Sequence, residues 1–159
     1  QVDNNNDFTS PEIELAVGSP ITNSTYTVAY LPPNTTYYWR VNAENIDNDV
    51  SAWSVVRTFR TPLAAPVLNE PVSGSTTTTY RPIFDWDDVD GAISYTIQVS
   101  TVNTFATTVV NVTVTGDSTW APVANLPMGT VYWRVRANSA AGGNGPSPWT
   151  TDSFIVVAP

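Results

Sequence analysis

The chain has 159 residues, a formal net charge of −8, a sequence pI near 4.1 and neither Cys nor His; Lys is also absent, so all six cations are Arg. That inventory excludes His-based triads, Cys nucleophiles, the usual zinc ligand sets, Lys Schiff bases and Lys-to-Asn isopeptide cross-links, and it lacks the clustered cations that nucleic-acid phosphates require. With 42% hydrophobic residues, six Trp and only 13% charged residues, it is too apolar for a disordered acidic tail and has material for a core. No apolar run is long enough to span a bilayer, so membrane insertion is not expected of this segment, and no signal-peptide pattern opens it.

In chain order, Gln1-Val2 with Phe8 reads as the tail of a strand. The intervening run Asp3-Asn4-Asn5-Asn6-Asp7 reads as a solvated loop organised by Asx turns, with calcium binding as the alternative its carboxylates leave open. After Leu31-Pro32, Tyr37, Trp39, Val41 and Ala43 alternate with Tyr38, Arg40 and Asn42, the period of a half-buried strand. Ser51-Ala52-Trp53-Ser54 then leads to a last strand carrying Phe59, and Thr61-Pro62-Leu63-Ala64-Ala65-Pro66 has the composition of a linker. Further on, Pro82, Phe84 and Trp86 alternate, as do Tyr95, Ile97 and Val99. Val131, Trp133, Val135 and Ala137 alternate with Tyr132, Arg134 and Arg136, and Ser147-Pro148-Trp149-Thr150 precedes Phe154. Gly and Pro fall mainly between these runs, and no segment has a helical period.

The Tyr38-Trp39-Arg40-Val41 phrase therefore recurs as Tyr132-Trp133-Arg134-Val135, with its flanks in the same order, 94 to 96 residues on. That spacing is one small domain. The residues from 66 to 97 have no partner upstream, so the expected organisation is a partial unit over 1–61 lacking its first strands, a linker over 62–66 and a complete unit over 67–159.

These motifs resemble the fibronectin type III domain in the variety common in bacterial extracellular proteins. The second unit matches it throughout: Trp86 ends the second strand, Tyr95 opens the third, Leu126-Pro127 leads into the sixth, and Ala137-Asn138 closes it. The first unit matches only from the end of the third strand. The resemblance implies an all-β fold of tandem immunoglobulin-like sandwiches, each of two antiparallel sheets with seven strands, the first incomplete at its N-terminus. In the family a Tyr six residues after the Leu faces the corner of the sixth strand, which would be Tyr37 or Tyr132. The inward set of the second unit, however, puts Val131 inside and Tyr132 outside.

The candidate sites are few. Trp39, Trp86 and Trp133 lie on inward-alternating faces and belong to cores. Trp53 follows Ser51-Ala52 and Trp149 follows Ser147-Pro148 before the last strand, while Arg40, Arg134 and Arg136 point outward, so these five form either a cation–π stacking ladder or a sugar platform. The ladder resembles, in miniature, the Trp-Ser-x-Trp-Ser arrangement of cytokine-receptor domains. Asp85, Asp87, Asp88 and Asp90 before Gly91 invite a calcium reading, but their spacing is not that of an EF-hand and they read as a solvated turn. Neither metal nor cofactor is expected. A carboxylate pair could serve glycoside hydrolysis, yet Glu12, Glu14, Glu44 and Glu70 surround no evident cleft, so catalysis is not expected. The sequons at Asn23, Asn34 and Asn111 mark exposed positions open to glycosylation.

The expected protein is thus a non-enzymatic extracellular module, secreted or at the cell surface, from a longer stalk, adhesin or fibre. Its stiff linkers would hold neighbours at a restricted angle. The alternatives are an accessory module of a secreted polysaccharide-degrading enzyme and a glycan-binding module. Expected partners are neighbouring domains or copies of the same protein, including strand donation to the first unit, and glycans; nucleic acid is excluded.

Overall fold

A computed structural model describes residues 1–14, 25–141 and 143–159, which divide into two units, Gln1–Thr61 and Pro62–Pro159. The described residues contain strands and turns only.

The second unit is a two-sheet sandwich. Its strands are β4 (Leu68–Glu70), β5 (Thr76–Thr77), β6 (Phe84–Trp86), β7 (Ser94–Ser100), β8 (Val110–Thr115), β9 (Thr119–Trp120), β10 (Gly129–Asn138) and β11 (Thr150–Val156). One sheet has the order β4-β6-β9 and the other β5-β11-β10-β7-β8; every pairing is antiparallel except that of β11 with β5. β4 and β5 flank the cis Glu70–Pro71 peptide and contribute one short strand to each sheet, so eight elements stand where the family resemblance implied seven.

The alternation read from the sequence decides which side chains fill the sandwich. Along β10, Val131, Trp133, Val135 and Ala137 are buried while Tyr132, Arg134 and Arg136 are half-buried on the opposite face. From the facing sheet, Phe84 meets Trp133 edge-on at 5.0 Å, Phe154 at 5.8 Å and Trp120 at 5.8 Å between ring centroids, and Trp86 meets Tyr95 at 5.3 Å. Such pairs contribute about 0.5–1.5 kcal/mol each beyond the area they bury. Leu63 belongs to this core, Pro66 is fully buried, and the Thr150 hydroxyl donates to the Pro66 carbonyl at 2.6 Å. Leu63 and Pro66, placed in a linker on composition, are therefore docked parts of the second unit, because an apolar side chain with a core within reach is buried.

The first unit has one sheet among the described residues, β1 (Val2–Asp3), β2 (Thr36–Trp39) and β3 (Arg57–Arg60), in that order and antiparallel. Tyr37 is buried and stacks on Phe59 at 5.7 Å, so this tyrosine does face the apolar side. Trp39, however, is only half-buried, Val41 is 55% exposed and Phe59 39% exposed. The core role expected of Trp39 is realised only in part, since no second sheet covers this face among the described residues. Trp133→Ala should therefore cost the second unit about 3–5 kcal/mol, whereas Trp39→Ala should cost the first less than half as much; stepwise urea unfolding followed by fluorescence measures both.

Burial raises the Tyr37 phenol above its ordinary value, and the Glu12 charge adds to the effect. The folded first unit thus favours the neutral phenol. That contribution is complete below pH ~10 and is lost as pH rises through the folded-state value. Denaturant titrations of the first unit should show stability falling above about pH 10, with the fall reduced in Tyr37→Phe.

Candidate functional site

The outward faces of the β1-β2-β3 sheet and of the five-stranded sheet carry the same assembly. Because Trp39 and Trp133 point inward, the residues after them, Arg40 and Arg134, project from the other face. The Arg40 guanidinium lies 4.1 Å from the Phe8 ring centroid and 4.4 Å from that of Trp53. Arg134 lies 4.2 Å from Phe105 and 4.4 Å from Trp149, and Arg136 adds a second cation 4.6 Å from Trp149. Each contact is worth about 0.5–1 kcal/mol at an exposed site and more when partly desolvated.

A glutamine fixes each guanidinium from the side. Arg40 Nε and Nη2 donate to Gln1 Oε1 at 2.9 and 2.7 Å, and Arg134 Nε donates to Gln98 Oε1 at 2.8 Å. Both phenylalanines sit in the left-handed region at φ 54°, a strain of about 1–3 kcal/mol that persists only where surrounding contacts hold it.

A serine two residues before each tryptophan pins the indole in place. In the second unit Ser147 N–H donates to Ala137 O at 2.8 Å, Ala137 N–H donates to Ser147 Oγ at 2.9 Å, and the hydroxyl donates to Pro148 O at 2.8 Å. In the first, Ser51 makes the same set with Ala43 and Ala52 at 2.8, 2.9 and 3.0 Å. The hydroxyl substitutes for the next rung of the sheet ladder where the chain turns away from the strand. Burial, and secondarily the charge of Arg136, lower the Arg134 pKa; the guanidinium remains a cation at neutral pH.

The structure thus brings together Arg40 with Trp53, and Arg134 and Arg136 with Trp149, as two separate stacks. Sequence reasoning missed Phe8, Phe105, Gln1, Gln98, Ser51 and Ser147 as members, although each pair recurs within a residue or so of the repeat spacing. Each indole has an internal cation over it.

The other candidates are dispersed. Asn69 Nδ2 donates to Asp85 Oδ2 at 3.1 Å and to Asp87 Oδ1 at 2.9 Å, and no group of three or more acidic side chains is placed to hold a metal among the described residues. Asn34, at φ 52°, accepts from Arg60 Nη2 through its side-chain oxygen at 2.6 Å. Asn111 lies on the exposed face of β8 and accepts from Gln98 Nε2 at 3.3 Å. Asn23 lies outside the described residues.

A family model described as the Rha78A-like, N-terminal immunoglobulin domain matches residues 10–65, less than half of the chain. Among solved structures, the chain is similar to the FN1–FN3 domains of chicken CNTN1 (TM-score 0.45, 18% identity, 82% of this chain and 46% of that one). It is also similar to a two-domain fibronectin type III segment of chicken tenascin (TM-score 0.49, 16% identity, 77% of this chain and 66% of that one). The chain therefore spans less than two thirds of either matched structure. A comparison with curated protein sequences finds no match. The strand order of the second unit, with three strands facing five, defines its class: a two-sheet, immunoglobulin-like β-sandwich.

Ser147→Ala leaves the buried Ala137 N–H without its acceptor and should destabilise the second unit by about 1–3 kcal/mol. Arg134→Lys keeps the charge but loses the planar fork and should cost about 1 kcal/mol. Ser51→Ala, at an exposed position, should stay within about 0.5 kcal/mol. Chemical denaturation of the three variants checks the ranking.

Proposed function

We propose that this chain is a non-enzymatic extracellular module whose role is structural or adhesive, a part of a longer surface, stalk or fibre-forming protein. The observation that carries this reading is the same Gln–Arg–aromatic stack built once on each unit, with every tryptophan of the pair engaged by the protein's own cation. Binding sites differ between copies of a module as ligands differ; a brace that recurs unchanged serves the module itself. Neighbouring domains or copies of the same protein are the partners this reading implies. Strands from either source would cover the apolar face of Tyr37, Trp39, Val41 and Phe59.

A second reading makes the chain an accessory module of a secreted polysaccharide-degrading enzyme; the match over residues 10–65 to a domain described as N-terminal fits a module that precedes others. The two readings agree that this stretch is not itself catalytic.

Affinity electrophoresis in gels containing soluble polysaccharides, with the full chain and its Trp53→Ala and Trp149→Ala variants, tests the main reading. Unretarded wild type is expected, together with a loss of about 1–3 kcal/mol in each variant. Retardation of the wild type that disappears in either variant while stability holds would make the indoles a glycan platform. Retardation unaffected by both substitutions would favour the accessory module.

A further inference from the structure

The loops that carry Phe8 and Phe105 have the same frame and opposite chemistry. Val2 bridges Ile13 as Val99 pairs with Val110, and Asp3 stands opposite Tyr38 as Ser100 stands opposite Tyr132. Both phenylalanines have φ 54°. Asn5 N–H donates to Asp3 Oδ1 at 2.8 Å, and Val102 N–H donates to Ser100 Oγ at 3.0 Å. The two loops therefore correspond in register, and Asp3 takes the place of Ser100.

In the second unit that place needs a donor. The Ser100 hydroxyl approaches the Val102 carbonyl at 2.9 Å and the Thr107 carbonyl at 2.7 Å. In register, the corresponding carbonyls of the first unit are those of Asn5 and Ser10. An ionised carboxylate has nothing to donate to them. Asp3 is 0% exposed, contrary to the solvated loop expected from its sequence, and its Oδ2 has no hydrogen-bond partner. Asp3 Oδ1 is satisfied by Asn5 N–H, but a buried carboxylate oxygen without a partner is unfavourable, and more so where the correspondence with the second unit sets carbonyl oxygens rather than donors around it, unless a cation joins them.

We propose that the first unit binds calcium beneath the loop of residues 3–12, through the Asp3 carboxylate and the backbone carbonyls of Asn5 and Ser10. The donors are all oxygens, and calcium accepts carbonyls, carboxylates and waters in flexible geometry, whereas magnesium demands a near-ideal octahedron. Asp7 and Glu12 border the site without being ligands. Asp7 Oδ1 is held by the Thr9 amide and hydroxyl at 3.0 Å, and Glu12 Oε2 accepts from Asn4 N–H at 2.8 Å. With one carboxylate among the ligands, affinity falls on the order of 10⁻⁴–10⁻³ M, the range of extracellular calcium modules.

Calorimetric titration of the full chain with calcium chloride, alongside thermal unfolding with and without it, tests the site. Wild type should bind one ion and its first unit should melt higher in millimolar calcium, with magnesium about tenfold weaker. Asp3→Ser installs the chemistry of the second unit and should fold without calcium and lose the response; Ser100→Asp should make the second unit calcium-dependent. A wild type indifferent to calcium would overturn the proposal. So would an Asp3→Ser protein that binds as wild type does.

Discussion

Burial of one face of β10 is the constraint from which the second unit follows. Trp133 and its neighbours Val131, Val135 and Ala137 leave water only because Phe84 and Trp86 of the opposite sheet meet them, and Phe84 alone contacts three other aromatic rings. Once that face is inside, the period of two sends Arg134 and Arg136 out. The same alternation operates in the first unit, but there the inward face has no facing sheet among the described residues. Tyr37 is buried and stacks on Phe59, while Val41 remains exposed.

The outer stack depends on this division without depending on the core being closed. Arg40 reaches Phe8 and Trp53 at nearly the distances at which Arg134 reaches Phe105 and Trp149, although among the described residues only the second unit has a facing sheet. The reason is that every member comes from three neighbouring strands of one sheet and the turns that leave them. Ser51 and Ser147 extend the sheet's hydrogen bonding into the Trp-bearing turns, and Gln1 and Gln98 supply an acceptor from the next strand. A sheet with such a brace keeps its register even on its exposed side.

Much of this was legible beforehand. The core positions of Trp86 and Trp133, the inward Val131 with outward Tyr132, and the outward arginines follow from alternation, which needs only the chain's own geometry. The additional rungs at Phe8 and Phe105 were not, because a phenylalanine in a polar loop carries no mark that it will fold back over a cation from a neighbouring strand. Asp3 misled for a related reason: a run of Asp and Asn reads as solvated, and only the pairing of Val2 with Ile13 turns its first residue beneath the loop. Leu63 and Pro66 show the converse, since linker composition says nothing about a core close enough to take them.

The sequence by itself determined the strand periodicity, the repeat of about 95 residues, the all-β class and the exclusion of thiol, imidazole and amine chemistry, because these depend on residue identity and spacing along one chain. Tertiary structure alone decided how deeply Trp39 is buried, which aromatic rings hold each guanidinium and where the carboxylate of Asp3 lies. Those are contacts between segments tens of residues apart, and burial and hydrogen bonding depend on which surfaces the strands bring together.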